Sequence, residues 1–109
     1  MTMSSEEACL AKYAHNVFGC LKVTYFNCIH SLCKQHKLDY NNVLSGILVS
    51  GYINDTHTKV PGPDGKFGYG GKCFPKDIEA FKTELGDSSF AKLLTDVAIL
   101  NSKFRNAIS

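Results

Sequence analysis

At 109 residues, with 44% apolar and 20% charged side chains, the chain has the size and composition of one globular domain, which excludes general disorder. Twelve Lys and Arg against ten Asp and Glu leave a net charge of +2, so there is no electrostatic case for nucleic acid or an anionic membrane as partner. No apolar run approaches the roughly 18 residues of a membrane span, and five cysteines without a pairing framework read as reduced thiols of a cytoplasmic protein.

The chain opens on Met1-Thr-Met-Ser-Ser-Glu-Glu7, acidic rather than basic, so no secretory leader is expected. Ser4 and Glu7 have the spacing of a capping box and start a helix over residues 4–36. Ala14, Val17, Leu21, Tyr25, Cys28 and Leu32 recur along it as one helical stripe, widened by Phe18, Phe26, Ile29 and Cys33. A helix of this length reaches about 48 Å, more than a small globule wraps, so part of its apolar face is expected to meet a second copy in a homodimer. After Lys37-Leu-Asp39, Asp39 caps a second helix with Val43, Leu44, Ile47 and Leu48 as its apolar face, stopped by Gly51. Residues 52–72 are a loop rich in Thr, Asn, Asp, Pro and Gly, with five of the nine glycines between Gly62 and Gly71. A loop so long in a compact domain points to function. Pro75 opens a third helix over Lys76–Leu85, ended by Gly86. Asp87-Ser-Ser89 then caps a fourth, in which Phe90, Leu93, Leu94, Val97, Ala98 and Phe104 keep helical spacing. No strand, repeat or linker is read, so residues 1–109 are expected to form a single all-α domain. A dinucleotide held in a βαβ unit needs a Gly-rich turn after a strand. None is supplied, so this chain alone is expected to bind no cofactor.

The stretch Gly68-Tyr-Gly-Gly-Lys-Cys-Phe-Pro-Lys-Asp77 carries the candidate chemistry. Glycines at 68, 70 and 71 let backbone approach a ligand closely. A thiol at Cys73, beside Lys72 and Lys76 and before a helix start, suits a nucleophile of lowered pKa. Asp77, four residues on, suits proton transfer or the positioning of a water. The alternative is a tight turn with a buried cysteine.

The longer segment Val60-Pro-Gly-Pro-Asp-Gly-Lys-Phe-Gly-Tyr-Gly-Gly-Lys-Cys-Phe-Pro-Lys-Asp77 resembles the catalytic-cysteine loop of the UDP-glucose/GDP-mannose dehydrogenases. Ala11-Lys-Tyr-Ala-His-Asn16 resembles the family's Lys-x-x-x-Asn signature, and Asn101-Ser-Lys-Phe-Arg105 its Asn-x-x-x-Arg. The resemblance is to the helical dimerisation core of that family, without its NAD-binding and C-terminal nucleotide-sugar domains. It implies a two-step oxidation of a sugar C6 alcohol to a carboxylate, with NAD held by a separate domain or subunit. By that match Cys73 adds to the C6 aldehyde, Lys12 and Asn16 stabilise the alkoxide, and Asp77 orients or deprotonates water. Phe67, Gly68, Tyr69, Gly70, Gly71 and Lys76 are the matching candidates for contact with the nucleotide sugar.

This chain departs from the family pattern at Tyr52-Ile-Asn54, where relatives carry an Arg-Ile-Gly-type segment whose arginine reaches the neighbouring subunit's substrate. A homodimeric scaffold or regulatory module without catalysis is therefore the competing expectation. His30, Cys33 and His36 offer three soft ligands, but their angular drift on a helix is unfavourable for zinc, and no metal site is expected. His15 and His57 read as residues with nothing obvious nearby.

Overall fold

The computed structural model describes residues 2–107. Met1, which the reading of the acidic start includes, lies outside them, as do Ile108 and Ser109. Four helices follow in chain order, and no strand occurs among the described residues. Helix α1 (Ser5–Gln35) begins at its capping box: the Glu7 backbone N–H donates to Ser4 Oγ, and the Ser4 N–H to Glu7 Oε1. Those bonds hold the Glu7 carboxyl below its ordinary pKa. The helix ends in a Schellman turn, with Leu38 N–H on the Cys33 carbonyl, Lys37 N–H on that of Lys34, and Lys37 left-handed at φ +58°. Its 31 residues span about 46 Å at 1.5 Å each, the whole 47 Å length of the molecule.

Helix α2 (Tyr40–Leu48) is capped by Asp39, which accepts from the Asn41 and Asn42 amides. It stops at Leu48 rather than at Gly51, whose N–H closes the following turn on the Leu48 carbonyl. A non-helical segment, 49–72, leads to α3 (Cys73–Leu85). That helix starts three residues before the expected Lys76. Pro75 permits this, because a proline in the first turn lacks only an N–H that has no helical acceptor anyway. Ser88 caps α4 (Ser89–Asn106) by accepting from the Ala91 amide.

Two apolar clusters lie along α1. Val17 and Cys20 pack with Tyr69, Ile78, Phe81, Leu94 and Val97, joining α1, α3 and α4. Phe26 and Cys33 pack with Tyr40 under α2, where the Tyr40 hydroxyl donates to the Thr58 carbonyl. The buried side of α1 is not the stripe its apolar spacing suggests. Of that stripe only Val17 is buried, while Tyr25 is 58% and Leu32 49% exposed. The inner face runs Cys20, Thr24 and Asn27, about 100° round the helix. Small and polar residues occupy it because α3 and the loop approach the helix closely there. A Cβ added at Gly19 would stand 2.5 Å from the Phe74 ring.

Candidate functional site

Helices α1 and α3 meet where Asn16 and Asp77, 61 residues apart in sequence, lie. Asn16 of α1 donates from Nδ2 to Asp77 Oδ2 of α3 at 2.6 Å, and Asp77 is 5% exposed. The first turn of α3 is seated on α1 just beyond this bond. Phe74 lies over Gly19, and the Cys20 thiol donates to the Phe74 carbonyl at 3.5 Å. Cys73 is the first residue of α3, one turn before Asp77, and its side chain is exposed. Lys12 stands one turn before Asn16 on α1, exposed and without a hydrogen bond or ion pair among the described residues. Burial, with the Asp77 charge second, pushes the Cys20 thiol up to about 12, so Cys20 is no competitor for chemistry at neutral pH.

His15, which showed no neighbour in sequence, adds to this group. Its Nδ1 lies 2.9 Å from Asn16 Oδ1 and donates to it in the tautomer protonated there. Both ends of the Asn16 carboxamide are thereby engaged. His57 also has a neighbour, the Phe74 ring at 5.4 Å. That pair forms the wall between two open clefts. One, of about 420 Å³, is lined by Val23, Lys59, Gly70, Gly71 and Phe74 among others. The other, of about 540 Å³, lies against His15, Phe18 and Lys22. Lys22 ties the loop down there by donating to the Asn54 carbonyl and Oδ1. Lys12, Asn16, Cys73 and Asp77 border neither cleft.

The candidate sugar-nucleotide contacts divide. Gly68, Tyr69, Gly70 and Gly71 line the first cleft, whereas Phe67 and Lys76 do not. Tyr69 is 5% exposed, its ring lies in the core, and burial raises its phenol pKa. Two of the three glycines give way to α4 rather than to open space. A Cβ at Gly68 would collide with the Asn101 carboxamide, and one at Gly70 with the Arg105 guanidinium. Only Gly71, at φ +81°, has free space where a side chain would project. Arg105 reaches over the loop to Asp64 at 2.9 Å. The Lys66 backbone N–H and then Arg105 hold the Asp64 carboxyl below its ordinary value.

Cys33 is buried, His36 is the exposed C-cap of α1, and His30 packs against Tyr40 and Phe67, so the three do not converge. Among the described residues no group of three His, Cys, Asp or Glu is placed to hold a metal. Nor is any helix there long and apolar enough to cross a membrane.

Residues 6–103 match the central domain of the UDP-glucose/GDP-mannose dehydrogenase family. Among curated relatives, the UDP-glucose 6-dehydrogenase of Rhizobium meliloti is 34% identical over 91% of this chain and 22% of its own length. UDP-glucose 6-dehydrogenase TuaD of Bacillus subtilis is 31% identical over 92% of this chain and 21% of its own. The GDP-mannose 6-dehydrogenase of Pseudomonas syringae pv. tomato gives the same figures, 31%, 92% and 21%. The chain thus spans about a fifth of the length of these relatives. No solved structure matches it.

Proposed function

The chain belongs to the UDP-glucose/GDP-mannose dehydrogenase family, of which it carries the central domain, and on that premise we propose that it is the cysteine-bearing piece of a nucleotide-sugar 6-dehydrogenase. The observation that supports this most is the Asn16–Asp77 hydrogen bond, which joins two candidates from different helices one turn from Cys73. In this reading the Cys73 sulfur adds to the C6 aldehyde of the sugar. The carbonyl π electrons pass to oxygen, and Lys12 and the Asn16 carboxamide stabilise the alkoxide so formed. Loss of a hydride from C6 of that adduct to an acceptor outside this chain would leave an acyl thioester; Asp77, buried and oriented by Asn16, then takes a proton from the water that attacks it, and Cys73 leaves as the thiolate.

Oxidation of the sugar requires a hydride acceptor. These residues do not fit a dinucleotide, because the glycine run follows an irregular loop and no strand occurs among the described residues. We place NAD on a separate domain or subunit. The competing reading, a homodimeric scaffold or regulatory module, is favoured by Tyr52, which is 86% exposed at the position read as departing from the family pattern.

Co-expression with candidate partners carrying a dinucleotide-binding domain, followed by an assay for NADH formed from UDP-glucose, separates the two. Turnover is expected only with a partner, and Cys73→Ser should lower it by on the order of a thousandfold or more. A partnered complex whose turnover survives Cys73→Ser rejects the nucleophile. A stable dimer that supports no turnover with any partner favours the scaffold.

A further inference from the structure

We propose that Asn27 and Asn101 are positioning residues for the cysteine loop: two buried carboxamides, from α1 and α4, hold the Gly68 and Tyr69 peptides and thereby set where Cys73 stands. The functional importance of that placement rests on the reading of Cys73 as the reacting group; the clamp itself is independent of it.

Asn27 is 4% exposed. Its Nδ2 donates to the Val23 carbonyl at 2.8 Å, which turns Oδ1 to accept from the Gly68 N–H at 2.9 Å. A flipped amide would set donor against donor and oxygen against oxygen. Asn101, 8% exposed, engages both backbone groups of one residue. Its Oδ1 accepts from the Tyr69 N–H at 2.7 Å, and its Nδ2 donates to the Tyr69 carbonyl at 3.0 Å. Gly68 and Tyr69 are buried without a neighbouring strand, so the two carboxamides supply the partners that a sheet otherwise gives. The fit excludes a side chain at Gly68, where φ is +78° and an added Cβ would meet Asn101 itself.

The clamp lies close enough to Cys73 to govern it. Only residues 70–72 separate Tyr69 from Cys73, a tether of at most about 14 Å when fully extended. On the far side Phe74 is seated against Gly19. Cys73 is therefore held by α3 on one side and by the clamped loop on the other, and release of the clamp loosens the loop side.

Asn101→Leu and Asn27→Leu keep side-chain bulk but remove the peptide contacts, and Asn101→Asp keeps an acceptor for the Tyr69 N–H. Two measurements on the full chain test the idea: amide hydrogen exchange by NMR, and the rate of iodoacetamide labelling at Cys73 relative to exposed Cys9 in the same sample. Loss of the clamp should speed exchange at Tyr69 (Asn101→Leu) or Gly68 (Asn27→Leu) by about 100-fold, with the Leu94 and Val97 amides unchanged. The Cys73-to-Cys9 labelling ratio should shift by about threefold or more, and Asn101→Asp, which keeps the acceptor but sets a carboxylate oxygen against the Tyr69 carbonyl, should leave Tyr69 exchange between that of the wild type and that of Asn101→Leu. Should Asn101→Leu fail to fold, Asn27→Leu and Asn101→Asp carry the same comparison. Unchanged exchange at both amides, acceleration spread evenly through the core, or an unchanged labelling ratio would overturn the proposal. A wild-type Cys73 slower than Cys9 would count against the nucleophile while leaving the exchange test of the clamp intact.

Discussion

Cys73 differs from the other four thiols in what surrounds it. Gly71 precedes it by two residues with open space where a side chain would be, and the Cys73 side chain is exposed in the first turn of α3. Cys20 and Cys33 are buried, and burial raises the pKa of Cys20 and Cys28, which lowers their thiolate fraction near neutral pH. We expect Cys73 to be the first thiol alkylated by limiting iodoacetamide, read by peptide mapping. Cys9 is the rival because it too is exposed, near the start of α1. Modification of Cys9 or of a helix-core thiol ahead of Cys73 would remove the physical case for a nucleophile.

At the scale of elements, two helical glycines make opposite predictions. Gly46 on α2 has nothing near its missing Cβ, so Gly46→Ala should stabilise the fold by about 0.5–1 kcal/mol through helix propensity alone. Gly19 on α1 carries the same propensity cost, yet the Phe74 ring occupies the space an alanine methyl would take. Overpacking costs typically about 1–3 kcal/mol, which outweighs that gain, and Phe74 adjoins Cys73. Gly19→Ala should therefore destabilise the chain in urea titration and shift the first turn of α3. A stabilised Gly19→Ala variant would mean that α3 does not rest on α1 as described.

The whole molecule leaves an apolar ridge uncovered. Leu10, Phe18, Tyr25 and Leu32 lie along the outer side of α1, with Phe18 62% exposed, on a helix as long as the molecule itself. We expect a symmetric homodimer through this ridge, on the scale of obligate interfaces that bury more than about 2,000 Å². Sedimentation should give a dimer at micromolar concentration for the wild type, and Phe18→Glu with Tyr25→Glu should return a folded monomer. A wild-type monomer at that concentration would refute it.

What the sequence determined by itself is what local chemistry controls. The Ser4–Glu7 box, the Asp39 and Ser88 caps and the Gly86 stop each act within a few residues, so four helices and the loop between the second and third were legible before any packing was known. Lys12, Asn16, Cys73 and Asp77 were legible as residue types in a family-like pattern. Tertiary structure alone decided the rest. The inner face of α1 follows the need for close approach by α3 and the loop, so Gly19, Thr24 and Asn27 turn inward while Tyr25 and Leu32 stay out. Gly68 and Gly70 serve the approach of Asn101 and Arg105, a requirement set 33 and 35 residues away that glycine content cannot specify. Asn27 and His15 carried no local signal, because a carboxamide or an imidazole has meaning only once its partner is beside it. Contacts across elements depend on which backbones meet, and that is settled when the helices pack.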